Sequence, residues 1–131
     1  MYMRANEATQ NRPEGTRVLD APYVITDINV SLNQLMNEDG WEKTDCNGIT
    51  LFKTDNVTSV LICMNTGARI GENSISGTVT IQIVEGEVEL TADEDVVTLH
   101  AGQIVMLHEE VTHSLLATEE TVMLLTNHTC Y

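Results

Sequence analysis

GENSISGTVTIQIVEGEVEL, residues Gly71 to Leu90, decides the fold. Val79, Ile81 and Ile83 alternate with Thr78, Thr80 and Gln82. Successive side chains on a strand point to opposite faces, so this period of two marks a strand with one apolar and one polar face. Gly86 then turns the chain, and the alternation resumes in EVELTA. A strand, a glycine turn and a second strand predict an antiparallel hairpin.

The pattern extends in both directions. Upstream, GITLFKT (Gly48 to Thr54) and VTSVLICM (Val57 to Met64) read as strands separated by Asp55-Asn56. Downstream, VVTLHAG, QIVML, THSLLAT and TVMLLTNH follow one another, broken at Gly102 and at Glu119-Glu120. Short strands with a turn every 8–12 residues or so are the sign of a sandwich or barrel. The near absence of helical periodicity after Trp41 excludes a parallel sheet built from strand–helix–strand units. The prediction is an all-β double-sheet barrel, whose interior is a natural place for a small molecule.

The first part of the chain reads differently. Met1 to Arg17 is polar and without periodicity, as expected of an arm or tail. SLNQLMNE (Ser31 to Glu38) predicts a short helix capped by Asn29 or Ser31, with Leu32, Leu35 and Met36 facing the body. Asp39-Gly40 is expected to end it.

Composition narrows the function classes. The 131 residues suit one domain, and 42% hydrophobic content supplies one core. Aromatic residues make up only 4%, so that core is aliphatic. The formal net charge of -14 opposes phosphate backbones and anionic membrane surfaces, so neither nucleic acid nor membrane is an expected partner. Three cysteines, Cys46, Cys63 and Cys130, are odd in number and widely spaced, which fits neither a disulfide framework nor a zinc ribbon. The N-terminus has no apolar signal core, and a reducing cytoplasm is the expected compartment. The sequons at Asn29, Asn56 and Asn127 then carry no sugar. No phosphate-binding glycine loop and no nucleophile elbow is present.

One spacing is specific. From Gly67, five residues lead to Asn73, one separates it from Ile75, three more precede Val79, and six precede Gly86. From Gly102, five residues lead to His108, followed by Glu109, Glu110 and, after two more, His113. This resembles the two signature motifs of the cupin family, small jelly-roll barrels also described as double-stranded β-helices. The similarity runs from about Gly48 to Asn127 and is to the small cupin-2, RmlC-like type. It implies an N-terminal arm and short helix over 1–47 packing on a cupin barrel over 48–131.

The resemblance also implies where a metal would sit. The family's four ligands, three from the first motif and one from the second, fall on Asn73, Ile75, Val79 and His113. Only His113 is a ligand of the usual type. The family's proline falls on His108, the next glycine on Glu110 and a late asparagine on Ala117. The motif is therefore degenerate, and no cofactor is expected. One imidazole and one amide do not supply the three or four donors that Fe, Mn, Ni or Zn requires.

Three readings follow. In the first, the barrel binds a small molecule without a metal, with Asn73 and His113 as its polar pair and Ile75, Val79 and Ile81 as an apolar wall. In the second, a divalent transition metal is held by an atypical set drawn from His113, His108, Glu72 and Glu110, as in metal-dependent dioxygenases, isomerases or lyases of the family. In the third, the barrel is filled and the chain is a structural or interaction module. A homodimer is expected in each, by family resemblance and because small sheets leave open edges. The outer face of Thr78, Thr80, Gln82 and Val84 offers one surface for it. Cys63 reads as a small core residue.

Overall fold

The computed structural model describes the backbone of residues 4–6, 17–38, 45–73 and 77–129, with side chains from residue 18 onward apart from 72 and 73. In chain order the elements are β1 (Arg4–Asn6), β2 (Arg17–Asp20), α1 (Ile28–Asn37), β3 (Cys46–Lys53), β4 (Val57–Met64) and β5 (Arg69–Asn73). They continue with β6 (Thr78–Glu85), β7 (Glu87–Ala92), β8 (Asp95–His100), β9 (Ile104–Leu107), β10 (His113–Ala117) and β11 (Thr121–His128). Every pairing is antiparallel. One sheet runs β5-β10-β7-β8 and the other β3-β4-β11-β6-β9. The two face each other as the all-β jelly-roll barrel that the alternation predicts.

Register explains the core. On β11, Met123 lies opposite Ile83 and Ile62, Leu125 opposite Ile81 and Val60, and Asn127 opposite Val79 and Thr58. These residues share the inward face of the five-stranded sheet. On the other sheet Leu115 lies opposite Leu90, and Ala117 opposite Val88. Both sets merge into one buried cluster with Met64, Leu99 and Leu107. Gly86 sits between β6 and β7 with φ 89, and an added Cβ would collide with the Glu120 carbonyl oxygen and come within 2.7 Å of the Thr121 hydroxyl. The hairpin therefore needs glycine there twice over, for its left-handed backbone and for the close approach of the β10–β11 connection.

The opposite face of the five-stranded sheet is covered by α1. Leu35 packs with Ile49, Leu61, Cys63 and Val122 in a second buried cluster, flanked by Ile28 and Leu32. The helix begins about one turn earlier than the sequence predicts, and its cap is Asp27. The Asp27 carboxylate accepts the backbone N–H groups of Asn29 (2.9 Å) and Val30 (3.2 Å), which would otherwise lack partners. With that start, Ile28, Leu32 and Leu35 fall on one stripe. Met36 falls at its edge, 41% exposed, and does not face the body as expected. The Asn47 amide donates to the Leu35 carbonyl (3.1 Å) and to the Glu38 carboxylate (3.1 Å), which fastens the end of the helix to β3. The expected stop at Asp39-Gly40 lies outside the described residues.

The expected arm contains one more element. Arg4–Asn6 pairs antiparallel with β2, with Ala5 opposite Val18 and Asn6 opposite Arg17. This ribbon is a backbone pairing in which Leu19 is buried. Such pairing needs no alternation in the first strand, so the composition of 1–17 conceals it.

Replacing Leu35 with alanine removes the side chain that fills the sheet–helix contact. Its expected cost is about 2–5 kcal/mol in urea unfolding. Met36→Ala, one residue on, is expected to change stability by less than about 1 kcal/mol.

Candidate functional site

Two inward-facing polar side chains lie at one end of the barrel: His113 opens β10, and Asn127 is the last inward residue of β11. The backbone of Asn73 closes β5 opposite His113. Val79, the first inward residue of β6, and Leu107, the last of β9, lie beside Asn127 on the same sheet. Thr58 flanks Asn127 from β4, and Ala92 flanks His113 from β7. We refer to this end as the mouth. Below it, Ile81, Ile83, Leu90, Leu115 and Met123 fill the barrel from both sheets.

His113 is only 3% exposed. It shares its face with Leu115 and Ala117, so its ring points inward. Its Nδ1 lies 3.1 Å from the Val111 carbonyl oxygen. A carbonyl oxygen only accepts, so Nδ1 carries the hydrogen and donates it. In the neutral ring this leaves the Nε2 lone pair directed away from Val111. The unbroken ladder from His113–Ala117 to Ala92–Val88 on β7 sets the position of His113. On its other side, the register with β5 shifts between His113 and Leu115.

Asn127 was legible in the sequence as a sequon and as the end of a strand, and not as part of a site. Its Oδ1 is buried and has no hydrogen-bond partner. Most buried polar atoms in folded proteins are paired, so an orphaned oxygen marks a place built for something else or a site of strain. The signal was present in the alternation: Met123, Leu125 and Asn127 continue one inward face.

The other predicted residues are placed as follows. Val79 is buried beside Asn127, and Ile81 is fully buried in the floor. Asn73 lies opposite His113 by backbone register, with its side chain outside the described residues, as is that of Glu72. Ile75 also lies outside the described residues. His108, Glu109 and Glu110 form the exposed turn between β9 and β10. Glu110 has φ 65, a left-handed backbone that non-glycine residues adopt uncommonly.

The donor set does not fit the family's metal. Val79 brings only methyl groups to the wall, and His108 is exposed while His113 is buried. Among the described residues, no three His, Cys, Asp or Glu side chains come together to hold an ion. Among the described residues, His113 Nε2 and Asn127 Oδ1 supply fewer than the three or four ligands a transition metal needs.

Two other features bear on chemistry. An open groove of about 500 Å³ lies outside the barrel, bounded by β2, α1 and β3 and lined by Tyr23, Ile25, Val30 and Leu51. Its carboxylate, Asp27, is already engaged as the cap of α1. Cys46 and Cys63 are not joined in a disulfide. Burial, with added repulsion from Cys46 and Glu85, pushes the Cys63 thiol up to about 11. Burial and Asp45 also raise Cys46. Neither thiol is activated as a nucleophile. Cys130 lies outside the described residues.

Known structures place this architecture. A cupin superfamily protein from Desulfitobacterium hafniense superposes with a TM-score of 0.64 at 20% identity, covering 65% of this chain and 78% of that one. An RmlC-like cupin from Shewanella frigidimarina gives 0.62 at 19% identity, covering 66% and 78%. A conserved protein of unknown function from Streptococcus pyogenes gives 0.69 at 20% identity and covers 98% of this chain and 99% of that one, so the likeness there takes in the helix and N-terminal ribbon. No protein-family model and no curated protein sequence matches the chain. These likenesses show a cupin-type β-barrel fold. Among the described residues no helix is long and apolar enough to cross a membrane.

Two measurements follow from this geometry. Asn127→Leu replaces an unpaired buried oxygen with an apolar side chain of similar size. It is expected to leave stability unchanged or raise it by about 1 kcal/mol in urea unfolding. The raised Cys63 thiol gives a pH dependence of known sign. Its folded form keeps the proton to about 11, above the ordinary 9.0, so between these values the unfolded chain loses the proton first. Stability is then lost as pH rises through that window, with a slope from this group approaching about 1.4 kcal/mol per pH unit. Cys63→Ala is expected to be less stable at neutral pH and to show a shallower slope above pH 9.

Proposed function

We propose that this chain is a cupin-fold binding protein that takes a small molecule at the barrel mouth without the family's usual metal centre. His113 and Asn73 form its polar pair, and Ile75, Val79 and Ile81 its apolar wall. The observation that carries this reading is the pairing of a buried, inward-facing His113 with an apolar Val79 where the family places an acidic ligand. A protein that keeps the frame and one hydrogen-bonding group, and replaces ligands by aliphatic residues, retains the means to bind and loses the means to hold an ion.

The test is elemental analysis of protein purified without a metal-binding tag, paired with thermal-shift screening of small molecules in the presence of a chelator. Less than stoichiometric transition metal is expected, together with ligand-induced stabilisation that His113→Ala removes. A near-stoichiometric metal that His113→Ala releases would overturn the proposal.

The filled lower half of the barrel favours a second reading, that of an interaction module. It shares one expectation with the first, a homodimer. Ile104 and Met106 are 48% and 68% exposed on β9, the edge of the five-stranded sheet, next to Gln82 and Thr80 of β6. QIVML is an uncharged, apolar edge on a chain of net charge -14, the kind of strand that small sheets cover by pairing. Light scattering is expected to give a dimer for the native chain and a monomer for Met106→Glu, with unfolding of the variant checked by circular dichroism.

A further inference from the structure

Two polar atoms at the mouth have no hydrogen-bond partner among the described residues, and with the His113 ring neutral both are acceptors. His113 gives its Nδ1–H to the Val111 carbonyl oxygen, which in the neutral ring leaves Nε2 as a lone pair. Asn127 presents a buried oxygen that no described residue satisfies. They come from opposite sheets, His113 from β10 and Asn127 from β11, and both lie on inward faces. Deepening the binding reading above, on which it rests, we propose that the mouth recognises a compact, uncharged molecule through that molecule's own donors: a small hydroxylated compound, such as a cyclic polyol, that gives one O–H to His113 Nε2 and another to Asn127 Oδ1.

The surroundings decide the charge. Among the described side chains, Ala92 flanks His113, Val79 and Thr58 flank Asn127, and Leu107 lies beyond Val79; none of them is ionisable. An anion would meet two lone pairs, inside a chain whose net charge is -14. A cation would lose its water without a carboxylate to replace it, which is strongly unfavourable in an apolar site. A neutral diol avoids both penalties. Its hydroxyls find acceptors, and its carbon skeleton lies against Val79 and Leu107. The orphaned oxygen then has a reason: its desolvation cost is carried by the free protein and relieved on binding. A site built around unpaired acceptors also rejects a ligand of the same shape that lacks donors, because those acceptors are left buried and unsatisfied.

A matched pair of probes tests this. A vicinal cyclohexanediol and its bis-methyl ether share a skeleton, but only the diol donates. Each is titrated into the labelled full chain and followed by the nuclear magnetic resonance signals of the His113 ring and the Asn127 side-chain amide. The expected result is that the diol shifts both sets of signals and binds at least tenfold more tightly than the ether. Asn127→Leu, expected to fold at least as stably as the native chain, should weaken the diol about tenfold and leave the ether unchanged. If the ether binds at the mouth as well as the diol, the donor inference fails while the binding reading survives. If the diol binds equally well to Asn127→Leu, the inference fails in the same way. If neither probe moves the mouth signals and the small-molecule screen is also empty, both fail.

Discussion

Ile81, Ile83 and Met123 from one sheet, and Val88, Leu90 and Leu115 from the other, are all buried to 1% exposure or less. The rest of the molecule depends on this contact. Burying a side chain of this size is worth about 1.5–3 kcal/mol, and these six lie at the centre of the one continuous cluster that joins the sheets. With an aromatic content of 4%, the barrel is closed by narrow aliphatic side chains that can interdigitate closely. The consequence for function is spatial. The lower half of the barrel is occupied by the groups that hold it together, so any chemistry inside is confined to the end where β10 begins and β11 finishes.

Much of this was legible because period two is a strong signal when one face is wholly aliphatic. The bounds of β4, β6, β7 and β11 match the segments VTSVLICM, TVTIQIVE, EVELTA and TVMLLTNH. What escaped was of a different kind. The start of α1 is set by Asp27, whose side chain turns back to two backbone N–H groups, and that is a matter of geometry more than of pattern. The β1–β2 ribbon pairs two short strands whose backbone register no alternation in the sequence announces. Asn127 reads from the sequence as a sequon and as the end of a strand, neither of which marks a site. Its significance depends on what faces it across two neighbouring strands.

The family frame and its contents have separated here. The turn at Glu110 keeps its left-handed backbone without the glycine that makes such a turn easy, and Val79 keeps its inward place without a carboxylate. Backbone geometry is held by many cooperating contacts, whereas a ligand position is held only by what it binds.

The two neighbours of β10 are not equivalent. Toward β7 its ladder is continuous over all five residues, while toward β5 the register slips immediately after His113. The histidine is thus the last residue of β10 held in register by both neighbours before the pairing with β5 slips. The continuous ladder to β7 is therefore the firmer of its two attachments. A change in β5 beyond the pairing of Asn73 with His113 alters the spacing along β10 before it alters the place of the imidazole.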